Sequence, residues 1–294
     1  MVLSADRPKL ALVSSPFATI KCECADKPAA IGARWAWAFV EVRGRPIYWT
    51  LRPLSVRVDG SHARMTIMAN DKMMAQISER DGFIAALDQS GGSTPGALRL
   101  YGIADNAYSN DAEMFRLVHQ MRVRIMTAPA FTDAKVIAAI LFEGTMDGEV
   151  RGKPTPAFLW EERGVVPFVK IDKGLDLEKD GVSLMKPMPE LDALLTGAAR
   201  LGAFGTKMRS VINLPSKQGI AAVVAQQFDV AARIAEYGLM PIIEPEVSIK
   251  SPDKPGAEAI LLAELTKKLD ALANGRQVML KLTIPDVSIF TRRW

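Results

Sequence analysis

Residues 204–246 read FGTKMRSVINLPSKQGIAAVVAQQFDVAARIAEYGLMPIIEPE, and this stretch decides the fold. It opens with an apolar run, Phe204–Met208, passes through a helical candidate, Lys217–Tyr237, and ends in a second apolar run, Leu239–Ile243. That order is the signature of a strand and helix leading into the next parallel strand. The same pattern extends in both directions. Upstream lie the runs Phe83–Leu87, Val136–Phe142 and Val165–Ile171, and downstream lies Val278–Ile284. Between them fall the helical candidates Asp111–Arg124, Glu190–Leu201 and Ala257–Ala273, the last with Leu261, Leu262, Leu265 and Leu269 on one face. Six strand-like runs joined by helices predict an α/β chain, either a doubly wound sheet or a (β/α) barrel.

Ionisable residues stand at or near the carboxyl end of every run: Asp88, Glu143, Lys170, Lys207 with Arg209, Glu244 with Glu246, and Lys281. Positions 170, 207, 244 and 281 are spaced 37 residues apart. One such residue is unremarkable, because a strand-end lysine snorkels to solvent or pairs with a neighbour. Six in succession are costly as core structure. In a barrel the strand ends converge on one cavity, so the series predicts a polar site built from carboxylates and cations. A lysine amine attacks a ketone only when neutral, and apolar walls with a nearby cation lower its pKa. Lys281, within Val-Met-Leu-Lys-Leu-Thr-Ile (278–284), has the most apolar surroundings of the lysines. Its plainer reading is a strand-end lysine that snorkels to solvent or pairs with Glu244. Glu143 reads as charge organisation, His119 as an ordinary residue of an amphipathic helix, and Met73, Met74, Met185 and Met188 as packing. Asp172 and Lys173 are expected to pair with each other or with neighbouring elements.

Bulk properties narrow the alternatives. A chain of 294 residues with 49% apolar content can bury a sizeable core. The net charge of +4 is concentrated: residues 1–67 hold ten of the 37 Lys and Arg but five of the 33 Asp and Glu. The body is therefore close to neutral, which argues against nucleic acid as a partner. Cys22 and Cys24, one residue apart, suit neither a disulfide framework nor a zinc site. After residue 67 the sole histidine is His119, which leaves no multi-His metal centre and no Ser-His triad. No run of about 18 apolar residues exists for a membrane span. The patch Leu10–Val13 is broken by Ser14, Ser15 and Pro16, so a cytoplasmic location is expected. Residues 1–67, with Trp35, Trp37 and Trp49 in no periodic pattern, read as a disordered or non-native extension preceding Met68. A β-ribbon within residues 36–51 is the other reading.

At this point the residues match a family. Phe-Ile-Ala-Ala-Leu-Asp-Gln-Ser-Gly-Gly-Ser (83–93), Ile-Leu-Phe-Glu (140–143) and Val-Lys-Ile-Asp-Lys-Gly (169–174) resemble the first three strands of class I fructose-bisphosphate aldolases, in their shorter bacterial form. Gly-Thr-Lys-Met-Arg (205–209), Pro-Ile-Ile-Glu-Pro-Glu (241–246) and Met-Leu-Lys-Leu-Thr (279–283) are similar to the fourth, fifth and sixth. The resemblance runs in order from about residue 70 to 285. It implies that Lys281 forms an imine with the substrate ketone and that Glu244 shuttles protons for it. Asp88 is implied to contact the C4 hydroxyl and support carbon–carbon cleavage. Lys207 is implied to keep Lys281 unprotonated, with Arg209 as its strand partner and Glu246 organising the lysines. Ser90, Ser93 and Lys170 match positions that bind the C6 phosphate. Gly91 and Gly92 serve either backbone approach to that phosphate or a plain turn. The resemblance further implies sugar-phosphate substrates, no metal and no other cofactor, and leaves a homo-oligomer open.

The chain departs from the family after Lys281. The family continues with two more strands, carrying a Ser-Gly-Gly loop and an arginine for the C1 phosphate, and no such motif follows here. The expectation is an incomplete (β/α)8 TIM barrel of about six of its eight βα units, spanning 68–285, with 286–294 as an aberrant tail. Two alternatives stay open: another imine-forming sugar-phosphate aldolase, and a non-catalytic remnant.

Overall fold

The computed structural model describes residues 2–4, 60–90, 94–272 and 276–285, with side chains from residue 70 onward. Six parallel strands run through it: β1 (Phe83–Leu87), β2 (Val136–Leu141), β3 (Val166–Lys170), β4 (Gly205–Ile212), β5 (Met240–Val247) and β6 (Gln277–Leu280). Each pairs with its neighbour in sequence, in the order β1-β2-β3-β4-β5-β6. A doubly wound sheet reverses its strand order at a switch point, and this sheet does not. The order is that of a barrel wall, with six of the eight units of a complete barrel among the described residues.

The connections are helical. They are α2 (Thr94–Leu100) and α3 (Asp111–Thr127) after β1, α4 (Glu143–Met146) and α5 (Thr155–Arg163) after β2, α6 (Leu191–Arg200) after β3, α7 (Lys217–Glu236) after β4, and α8 (Lys254–Asp270) after β5. Side-chain oxygens cap three of them at the N-terminus: Asn110 for α3, Ser216 for α7 and Asp253 for α8.

The sheet buries both faces, and each face has its own core. The helices cover the outer face, where Leu141, Val169, Met208, Ile243 and Leu280 pack with Phe158, Leu195, Val224 and Leu261. The inner face carries Ile84, Ile140, Phe168, Met240, Ile242 and Met279. Met73 and Ile77 of α1 (Gly60–Glu79) join that inner core. Gln76 of the same helix donates to the carbonyls of Ile137 and Gly164, at 2.8 and 2.7 Å, which ties α1 to the amino-terminal side of β2 and β3. The backbone of α1 passes through Met68 without a break.

Two short strands complete the sheet. Val182–Ser183 lies antiparallel to the end of β4, and Val2–Ser4 lies antiparallel to β6. The β-ribbon expected within residues 36–51 and the tail 286–294 lie outside the described residues.

Candidate active site

Side-chain direction alternates along a strand, so the polar residues can be placed by parity. Phe168 on β3 and Met240 and Ile242 on β5 face the inner core. Two residues on from each, the same face presents Lys170 and Glu244, and one further step on β5 presents Glu246. On β6 the step from Met279 leads to Lys281, whose N–H still donates to the Ile243 carbonyl at 2.9 Å. These three strands thus begin apolar on their inward face and end charged.

The ends then meet. Lys207 Nζ lies 3.0 Å from Asp88 Oδ2 and 2.7 Å from Glu244 Oε2. The other Glu244 oxygen, Oε1, pairs with Lys281 Nζ. Asp88 follows β1, whereas Lys207 is on β4, three strands away. In a flat sheet that distance is roughly 14 Å. A 3.0 Å ion pair across it requires the sheet to curl about its inner face. The four residues form a chain, Asp88–Lys207–Glu244–Lys281, with side chains between 4% and 13% exposed.

The two lysines differ electrostatically. Burial pushes the Lys281 amine below the ordinary lysine value; Glu244 opposes this and the Lys207 charge adds to it. Burial also pushes Lys207 down, but the carboxylates of Glu244, Asp88 and Asp172 more than reverse this and hold it well above its usual range. Burial raises the Asp88 carboxyl, and Lys207, Lys281 and Lys170 outweigh that to keep it lowered. Glu246 is raised by burial and by Glu244, in spite of Arg209 at 3.1 Å. The site therefore sets side by side a lysine whose charge is stabilised, a lysine whose charge is disfavoured and a carboxylate whose charge is stabilised.

Beside this chain, Lys170 donates to Ser90 Oγ at 3.1 Å and pairs with Asp172 Oδ1 at 2.9 Å. Ser93, with Gly91 and Gly92, lies outside the described residues. Asp172 therefore faces Lys170, not Lys173, and Lys173 pairs with Glu143. Glu246 pairs with Arg209 on β4 at 3.1 Å, and the Lys281 charge also acts on it.

Two residues not anticipated from the sequence support the site from the helices. Gln227 on α7 is fully buried and donates to the Glu244 carbonyl at 3.0 Å. Arg122 on α3 is 1% exposed and donates to the Gln89 carbonyl and to Thr145 Oγ1. Each had a signal. Both sit on the buried stripe of an amphipathic helix, between Ile220, Val223, Phe228 and Ala231 in one case and Met114, Val118, Met121 and Met126 in the other. A polar side chain at such a position is either a costly misfit or a contact to something polar.

Among the described residues no group of three or more His, Cys, Asp or Glu side chains could hold a metal ion, and no helix is long and apolar enough to cross a membrane.

A family model described as fructose-bisphosphate aldolase class-I matches residues 72–279. The chain is 55% identical over 222 residues to fructose-bisphosphate aldolase class 1 of Synechocystis, covering 76% of this chain and 74% of that one. It is 52% identical over 221 residues to the enzyme of the same name from Porphyromonas gingivalis, covering 75% of each. Among solved structures, fructose-bisphosphate aldolase from Plasmodium falciparum, in a complex with TRAP and a small-molecule inhibitor, matches with a TM-score of 0.48 and 20% identity. That match spans 65% of this chain and 54% of the other.

Proposed function

The chain belongs to the class I fructose-bisphosphate aldolases, glycolytic lyases that act on sugar phosphates, and from that premise we propose that it cleaves fructose 1,6-bisphosphate through an imine on Lys281. The observation that carries this reading is the placement of Lys281: a largely buried amine just past the end of β6 with a lowered pKa, sharing one carboxylate, Glu244, with Lys207, whose charge its carboxylate neighbours stabilise.

The neutral Lys281 amine attacks the C2 ketone, and Glu244 relays the proton with which the carbinolamine oxygen leaves as water. The protonated imine then draws electrons from the C3–C4 bond. Asp88, ionised beside Lys207, accepts the C4 hydroxyl proton as that bond breaks. C4 becomes the aldehyde of glyceraldehyde 3-phosphate, and the electron pair rests in an enamine. Protonation at C3 and addition of water release dihydroxyacetone phosphate and restore Lys281. Ser90, Ser93 and Lys170 bind the C6 phosphate in this scheme. A dianion there competes with Asp172 for Lys170, so binding loosens the Lys170–Asp172 pair seen at 2.9 Å. The reaction uses no metal and no cofactor, and the enzyme works in the cytoplasm.

A coupled assay of glyceraldehyde 3-phosphate release by the purified 294-residue chain tests this reading. Cleavage should persist in chelator and fall by about a thousandfold or more in Lys281→Arg, as expected for loss of a covalent nucleophile. Cleavage that a chelator abolishes, or that Lys281→Arg retains, contradicts it.

A further inference from the structure

We infer that Arg122 is a positioning residue for carbon–carbon cleavage: from α3 its guanidinium holds the Gln89 carbonyl, and so fixes Asp88 and Ser90, the residues on either side, over the site. The inference rests on the aldolase reading above.

The contacts are specific. Arg122 Nη2 donates to the Gln89 carbonyl at 2.5 Å, Nη1 donates to Thr145 Oγ1 at 2.7 Å, and the guanidinium lies 5.7 Å from the centre of the Phe142 ring. Gln89 turns its own side chain back to the Ala86 carbonyl, at 3.1 Å. Its two neighbours turn the other way, Asp88 to Lys207 at 3.0 Å and Ser90 to Lys170 at 3.1 Å. The carbonyl that Arg122 grips therefore lies between the carboxylate that takes the C4 proton and the hydroxyl assigned to the C6 phosphate. Through Thr145 in α4, the same guanidinium ties the loop after β1 to the loop after β2.

Packing alone does not require a cation here. The rest of this stripe on α3 is filled by Met114, Val118, Met121 and Met126. Burying a charge costs several kcal/mol before any compensation, and burial lowers the Arg122 pKa to about 10, with Asp88 pulling the other way. It therefore stays charged at neutral pH. What an arginine supplies that a methionine does not is a rigid fork of donors, able to engage two acceptors at once. The charged groups that face Asp88 are Lys207 from β4, Lys170 from β3, Lys281 following β6, and Arg122 from α3. Arg122 also holds the backbone beside it.

The test separates two half-reactions. Imine formation with dihydroxyacetone phosphate, trapped by borohydride, needs Lys281 and Glu244 but not the C4 proton acceptor. Cleavage of fructose 1,6-bisphosphate needs Asp88 as well. Arg122→Met removes both donors, and Arg122→Lys keeps the charge while losing the fork. In both, kcat/KM for cleavage should fall about a hundredfold, the usual consequence of a small misplacement of a reacting group, while the trapping rate stays close to wild type. Cleavage near the wild-type rate in Arg122→Met overturns the inference, as does a loss of trapping that matches the loss of cleavage. If Arg122→Met does not fold, Arg122→Lys decides. Failure of both to fold assigns the residue to structure and also overturns the proposal. A wild-type chain that traps no imine overturns the aldolase reading itself, which distinguishes that failure from the others.

Discussion

Lys207 and Lys281 carry the same functional group under opposite constraints. Lys207 is hemmed in by Asp88, Glu244 and Asp172, which stabilise its charge; Lys281 is pushed down by burial, shares Glu244 with that charge and also lies within reach of the Asp88 charge. Repulsion from Lys207 lowers the Lys281 pKa, so deleting the charge raises it. Lys207→Met also leaves Glu244 wholly to Lys281, which acts in the same direction. Because attack needs the neutral amine, the rising limb of kcat/KM against pH should move to higher pH in Lys207→Met. A limb that stays in place or moves to lower pH contradicts the assigned role. These two lysines were legible in the sequence because each stands at or near the end of an apolar run. Arg122 and Gln227 were harder to find, since a lone polar residue on a helix looks like part of its solvated face until the opposite surface is known to be covered.

The elements show why the apolar runs marked strands correctly but ended too early on β4 and β5. β4 and β5 continue to Ile212 and Val247, beyond the runs Phe204–Met208 and Leu239–Ile243. Their later residues alternate: Arg209 and Glu246 pair across the inner face while Ser210 and Ile212 stay buried on the outer one. Charge on one face breaks an apolar run without breaking the ladder. The first residue of β4 constrains the same pair of strands. A Cβ on Gly205 would lie 2.1 Å from the Met240 carbonyl oxygen and 2.7 Å from the Phe168 ring. Backbone cannot yield as a flexible side chain does, so Gly205→Ala must prise β4 from β5. It should cost about 1–3 kcal/mol, in the range of overpacked cores. Urea denaturation checks this through a lower midpoint at unchanged slope, and an unchanged midpoint refutes it.

At the scale of the molecule, the sequence supplied the strands and left their neighbours open. A βα connection of a given length serves a doubly wound sheet and a barrel alike, because strand order is settled by long-range pairing. The ladder from β1 to β6 and the Asp88–Lys207 contact across three strands resolve it. The curl also gives the strand-end charges their meaning, since it turns residues 37 positions apart into one connected site. The account stands on that convergence delivering a reactive amine at Lys281 and nowhere else. Borohydride reduction in the presence of dihydroxyacetone phosphate, followed by peptide mapping, measures this directly. The prediction is one covalent adduct on the peptide carrying Lys281, absent in Lys281→Arg. An adduct on Lys207 or Lys170, or none on the wild-type chain, would contradict it.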